Sequence, residues 1–267
     1  MKENVSIGIV GNGFVGNAVY QNLRDKARCT VYDLDKNRSI SSLEEVIQRD
    51  FIFVCLPTPM KMDGSCDLSI LDNFFEELPD HLTGTFVIKS TVPVGTTKKY
   101  TERHNVIHNP EFLTARNAVE DYAKAERNIV GGNKELCVDF TCFFEACFPK
   151  IPSIIVSSDE SEAIKYFSNT FLAYKVAYFN KIFDFCQATG MEYNKVRQGV
   201  TGDSRIGKSH TQVPGIDMDR GFGGTCFPKD INSLIMQMES HHVNADMLKE
   251  VWKYNEQIRK VIDWTVT

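Results

Sequence analysis

Residues 5–10, VSIGIV, are an apolar run too short for a helix and closed by glycines, which predicts a buried strand. An amphipathic stretch to about Arg24 follows, then a second apolar run, CTVYD, ending on Asp33. Together they read as a β-α-β unit. Further strands are expected at 51–56 (FIFVCL), 85–90 (TFVIKS) and 105–108 (NVIH), separated by helically periodic segments such as 68–78. A helix across 134–147 and a short strand near Ile154 and Ile155 would complete this lobe. Strands alternating with helices imply a parallel, doubly wound sheet.

The pattern changes at Ser157–Ser161, where capping hydroxyls and first-turn acids precede a long periodic run. Apolar side chains at 164, 167, 171, 174, 178, 182 and 186 form one stripe up to Gly190, predicting a helix of roughly 30 residues. So long a helix suits a spine between lobes or a dimer interface. Two more helices are expected at about 226–239 and 244–263, and the stretch 202–225 reads as a long loop, usually a functional feature. The fold class is therefore α/β: a Rossmann-like doubly wound sheet over 1–157, followed by an all-α domain over 158–267 built on the long helix.

Composition narrows the field. The chain has 267 residues, 42% apolar and 24% charged, as a soluble two-lobed protein would. A net charge of −5 argues against a general nucleic-acid surface. No stretch approaches the roughly 20 apolar residues of a membrane span, and the start lacks a signal-peptide pattern, so a cytoplasmic location is expected. The eight cysteines lack paired spacing and are expected as reduced thiols. Cys137, Cys142 and Cys147 are five apart, so they cannot share a helix face, and no metal site is expected.

Candidate chemistry clusters at the strand ends. Gly11-Asn12-Gly13-Phe14-Val15-Gly16 follows a strand and opens a helix, with Asp33 at the end of the next strand. That is a dinucleotide fingerprint: glycines for the turn, for approach of the pyrophosphate and for helix packing, and an acid for the ribose hydroxyls. Asp33 favours NAD over NADP, with nearby Arg38 as a counter-signal. Thr58 in CLPTP, Thr91 in STVPVGT and Glu111 in NPEFL lie after later strands, at the carboxyl edge where such sheets bind ligands. Lys165 and Asn169 are neighbours on one helix face, followed by Ala173 and Ala177, and would seat a substrate oxygen. In GFGGTCFPKD, Pro228 suits a first helical turn and places Cys226 at a helix N-terminus, where backbone N–H groups stabilise a thiolate. Asp230 would fall beside it and accept a proton or order a water.

These segments resemble, in order and over essentially the whole chain, the UDP-glucose/GDP-mannose dehydrogenase family. The resemblance implies that NAD oxidises a sugar C6 alcohol twice, to a uronic acid, through a cysteine thiohemiacetal and thioester, with UDP-glucose the first choice of substrate. It implies Cys226 as nucleophile, Lys165 and Asn169 as oxyanion donors, Asp230 as proton-transfer aid, and Glu111 and Thr91 as handlers of water or protons. Lys229 and Thr58 would lie near the cofactor, and Phe112, Leu113 and Gly223 near the substrate. Arg205 matches an arginine that reaches the neighbouring subunit's site, so a homodimer through the long helix is expected. Two departures stand out: Ala115 replaces a family acid, and a C-terminal nucleotide-binding domain is expected to be missing after Thr267. Arg220 or Lys208, in the rearranged loop before the cysteine, would replace lost phosphate contacts. The competing readings are a β-hydroxyacid dehydrogenase, which needs no cysteine, and a non-catalytic NAD-binding partner subunit.

Overall fold

A computed structural model describes residues 5–264. The chain forms two compact units: the first takes residues up to Thr58 together with Leu68–Lys165, the second takes Pro59–Asp67 and residues from Tyr166 onward.

In the first unit the elements run β1 (Ser6–Val10), α1 (Phe14–Leu23), β2 (Arg28–Tyr32), α2 (Leu43–Val46), β3 (Phe51–Val54), α3 (Ser69–Glu77), β4 (Thr85–Ile88), α4 (Thr96–Tyr100), β5 (Asn105–His108), α5 (Ala118–Ala123), β6 (Asn128–Gly132), α6 (Lys134–Cys147) and β7 (Ser153–Val156). The seven strands form one sheet in the order β2-β1-β3-β4-β5-β6-β7, parallel throughout except that β6 runs antiparallel to β5. Strand β6 has no counterpart among the expected strands. Side chains alternate between two buried layers: Ile7, Ile9, Phe51, Phe53, Val87 and Ile107 face one, and Val10, Ile52, Val54, Phe86, Ile88 and Val106 the other. Helices therefore cover both faces, as parallel strands require. Register matters most for function. Val10 pairs with Tyr32 and Val54, Val54 with Ile88, and Ile88 with His108. The next residues, Gly11, Asp33, Cys55, Lys89 and Asn109, thus leave the sheet side by side.

Helix α7 (Ser158–Thr189) opens on a reciprocal cap in which Ser157 Oγ accepts from Glu160 N–H while Glu160 Oε2 accepts from Ser157 N–H. In the second unit its aromatic stripe and its buried face do not coincide. The buried face carries Tyr166, Asn169, Ala173, Ala177 and Asn180, whereas Phe167, Phe171, Tyr174 and Tyr178 of the apolar stripe are exposed. The small residues permit close packing on the unit's own core, which leaves the aromatics outward.

The second unit continues with α8 (Tyr193–Val200), α9 (Phe227–Ser240) and α10 (Asp246–Ile258). Tyr166, Ala173, Ala177, Phe222, Ile231, Leu234, Leu248 and Val251 make its core. Pro59–Asp67 folds as a small hairpin closed by a Met60–Cys66 bridge, with Gly64 against Asn232. Residues 202–225 form a loop, as expected. Helix α10 stops at Ile258 rather than near 263, because the Asp219 carboxylate accepts the Lys260 and Val261 N–H groups at 3.0 and 2.9 Å and draws the chain out of the helix.

Candidate active site

At the sheet's carboxyl edge, Gly11 takes φ +86°, a conformation open to glycine, and a Cβ there would lie 2.7 Å from the Cys55 carbonyl oxygen. A Cβ on Gly16 would lie 1.9 Å from the Gly11 carbonyl oxygen, so a side chain at 16 would push α1 off the turn. Gly13, by contrast, faces open space and caps α1 without a side-chain bond, leaving first-turn N–H groups to an anion. Asn12 N–H donates to Asp33 Oδ2 at 2.6 Å and Asp35 N–H to Asp33 Oδ1 at 2.8 Å, which fixes the carboxylate at the end of β2. Beside it lies a cavity of about 530 Å³ lined by Tyr32, Asp33, Ser39 and Ser42 among others. Asn12 Oδ1 is buried without a hydrogen-bond partner among the described residues. Open glycine, uncapped helix, tethered acid and orphaned amide oxygen fit a dinucleotide. Phe14 is exposed beside this turn and Val15 partly buried. Arg38 lies outward, its Nε 3.4 Å from Asp35 and its carbonyl accepting from Asn12 Nδ2.

Further along the edge, Thr58 Oγ1 donates to the Thr91 carbonyl at 2.8 Å, joining the CLPTP and STVPVGT turns. Gly95 and Thr97 N–H donate to the Glu162 carboxylate at 2.6 and 2.7 Å, so a buried acid pins the latter turn. Burial raises the Glu162 carboxyl despite these bonds. Glu111, 8% exposed, meets Lys165, 3% exposed, at 3.0 Å, and Lys165 also donates to the Glu111 carbonyl. Leu113 N–H donates to the other Glu111 oxygen at 2.5 Å. Phe112 lies under two cations, Arg127 at 4.5 Å and Lys165 at 5.2 Å from the ring centre. Ala115 sits on the exposed turn before α5.

Two groups here were not anticipated. Lys89 and His108 are buried, and burial takes the Lys89 ammonium down to about 8 and the His108 imidazole to about 3. The only signal was a lysine at the end of an apolar strand, just before STVPVGT.

In the second unit Cys226 is the N-cap of α9, half-buried, with Pro228 in the first turn and Sγ 3.9 Å from Thr225 Oγ1. Asp230 is fully buried one turn on, its N–H donating to the Cys226 carbonyl at 2.9 Å. Its carboxylate accepts from Asn169 Nδ2 and from Lys229 Nζ, each at 2.6 Å. Burial acts to lower the Lys229 ammonium, yet Asp230, with the thiols of Cys66 and Cys226, outweighs it and the net displacement is upward. The glycine loop is braced from behind: a Cβ on Gly223 would lie 2.1 Å from an Arg259 nitrogen, and Gly224 N–H donates to Asp263 at 3.0 Å. Arg220 is engaged by Asp184 at 2.6 Å and by Asn180, Lys208 is exposed, and Arg205 is held by Asp203 at 2.6 Å on the surface.

Residues 36–144 match the NAD binding domain of the UDP-glucose/GDP-mannose dehydrogenase family, and residues 159–257 match its central domain, together more than half of the chain. The UDP-glucose 6-dehydrogenase of Rickettsia conorii is 35% identical over 222 residues, covering 80% of this chain and 50% of that protein. TuaD of Bacillus subtilis, a UDP-glucose 6-dehydrogenase, is 29% identical over 306 residues, covering 98% of this chain and 65% of that protein. The chain thus spans about half to two thirds of the length of these relatives. Among solved structures, a UDP-glucose dehydrogenase from Pyrobaculum islandicum superposes with TM-score 0.83 at 27% identity, covering 96% of this chain and 68% of that one. A 3-hydroxyisobutyrate dehydrogenase from Mycobacterium tuberculosis shares the fold at TM-score 0.76 and 16% identity, over 96% and 94% of the two chains. No helix among the described residues is long and apolar enough to cross a membrane.

Proposed function

The chain belongs to the UDP-glucose/GDP-mannose dehydrogenase family, and we propose that it oxidises the C6 alcohol of a nucleotide sugar, UDP-glucose before others, to the uronic acid with Cys226 as covalent nucleophile. NAD is the cofactor, with Gly11–Gly16 and Asp33 as its seat, and when bound it accepts the hydride of each oxidation.

Cys226 at the start of α9 has the helix N-terminus to favour its thiolate, and Lys229, three residues on, adds positive charge. The sulfur adds to the C6 aldehyde as a thiohemiacetal, holds the acyl group as a thioester, and is released when water attacks. Lys165 and the second amide proton of Asn169 stabilise the oxyanion. Asp230 takes up and returns the proton, while Glu111 and Thr91 order the water. The observation that carries this reading is Asp230, buried one turn beyond Cys226 and gripped by both Asn169 and Lys229. A buried carboxylate held by an amide and an ammonium beside a helix-capping thiol is a costly arrangement with no evident structural need.

The working form is a homodimer joined along α7. Phe167, Phe171, Tyr174 and Tyr178 are 54%, 66%, 39% and 51% exposed on successive turns, an aromatic strip that a second copy would cover. Arg205 then serves the neighbouring subunit's substrate.

The test is NADH formation from NAD with UDP-glucose, GDP-mannose and related sugars. Two NADH per sugar in the wild type, with Cys226→Ser unable to complete the acid, is the expected result. A chain that binds NAD but is silent with every nucleotide sugar overturns the assignment.

A further inference from the structure

Lys89 leaves β4 in the row of residues at the carboxyl edge and is 3% exposed. Among the described residues it forms no ion pair, and its hydrogen-bond acceptor is a neutral amide oxygen, Asn109 Oδ1, at 2.7 Å. A buried ammonium without a carboxylate partner is expensive, so its place calls for a role.

Asn109 is what it holds. The Asn109 amide nitrogen donates to Asn128 Oδ1 at 2.7 Å and to the Ile129 carbonyl at 2.6 Å, and its backbone N–H donates to the Ile88 carbonyl at 2.9 Å. Among the described residues Lys89 supplies the one bond to the oxygen side of this amide and so fixes which way it faces. Pro110 follows, with its restricted φ, and then Glu111, whose carbonyl and carboxylate Lys165 grips.

We propose that Lys89 is a positioning residue for the Glu111–Lys165 pair, holding the NPEFL turn through Asn109, and that it does so fully only while protonated. This rests on the reading of Glu111 and Lys165 as part of the oxidation machinery. The groups that face Lys89 are Cys55 after β3, His108 on β5, Glu111 on the turn, the Tyr122 ring of α5 at 5.7 Å, and Lys165 of α7. Burial raises the Cys55 thiol to about 12, raises Tyr122, and lowers His108 to about 3. Burial likewise lowers Lys89, to about 8, with Lys165 adding to the effect and Cys55 and Glu111 opposing it. Loss of that proton turns a charge-assisted bond into a neutral one of roughly half the strength.

Two arms test this on the full chain from about pH 6 to about pH 10. In the first, the Asn109 side-chain amide signal is followed by NMR, assigned with Asn109→Gln. It should move with a midpoint near 8 in the wild type and stay still in Lys89→Arg, whose side chain keeps its charge throughout. A flat wild-type signal, or one that moves unchanged in Lys89→Arg, overturns the proposal. In the second, kcat for NADH formation should fall about tenfold through the same midpoint, with KM for NAD unchanged. Lys89→Arg should lift the fall out of this range, and Lys89→Met should be low and flat across it; a wild-type profile in either variant overturns the proposal. If no nucleotide sugar is oxidised, the functional assignment fails, while the NMR arm still decides the positioning role.

Discussion

Asn169 Nδ2 donates to Asp230 Oδ2 at 2.6 Å between two buried side chains. Removing the amide leaves a buried carboxylate oxygen without its donor, at a cost of about 1–3 kcal/mol. Asn169→Ala should therefore lower the unfolding free energy in urea by that amount. NADH formation should fall further than the stability loss explains, because the proposed mechanism also uses the second proton of this amide. An Asn169→Ala protein with wild-type kcat would remove Asn169 from the mechanism.

Asp33 should set the choice of cofactor. Its carboxylate is fixed by the Asn12 and Asp35 N–H groups beside the cavity, so it repels a 2′-phosphate. Asp33→Ser should weaken NAD binding by about tenfold and narrow the gap to NADP, read by fluorescence titration with both nucleotides.

The stability of the first unit should carry the signature of Lys89. Burial brings its ammonium from 10.5 to about 8. A depressed folded value gives stability that is present above about 10.5, declines as pH falls, and is gone below about 8. At about 1.4 kcal/mol per pH unit, the difference is on the order of 3 kcal/mol. Relative to Lys89→Met, the wild type should gain stability by about that much between those two pH values, measured by urea unfolding. A constant difference between the two proteins would mean that Lys89 is not held in a charge-averse site.

On α7, Phe171→Arg should halve the mass seen by light scattering, since a charge in the middle of the aromatic strip cannot be covered by a second copy. The side chain is 66% exposed, so the fold of a single chain should tolerate the change within about 0.5 kcal/mol. A wild-type mass that already corresponds to one chain would remove the dimer.

Local signals were legible because neighbouring residues carry them. The glycine turn and Asp33, the apolar runs of β1, β3 and β4, the start and end of α7 and the loop before Cys226 all depend on side chains a few positions apart. Antiparallel β6 was missed because Asn128–Gly132 has only two large apolar residues, Ile129 and Val130, followed by two glycines. Helix α8 was missed because Tyr193–Val200 is mostly polar and buries only Tyr193. Periodicity did place the aromatics of α7 on one stripe, but it cannot say which stripe turns inward; Ala173 and Ala177 decided that. At the candidate site, Glu162 under Thr97 and Lys89 under Asn109 depend on partners 65 and 20 residues away, beyond any spacing rule.

The nine-residue hairpin from Pro59 to Asp67 bears on how this protein can be taken apart. It belongs to the second unit although residues of the first unit flank it on both sides. A fragment cut out from the start of α7 would lack the strap whose Gly64 lies against Asn232. Conversely, the sheet expressed alone would carry a loop with nothing to lie on. Neither half is a self-sufficient module, and a designer wishing to swap the helical part between relatives would have to graft two pieces of chain.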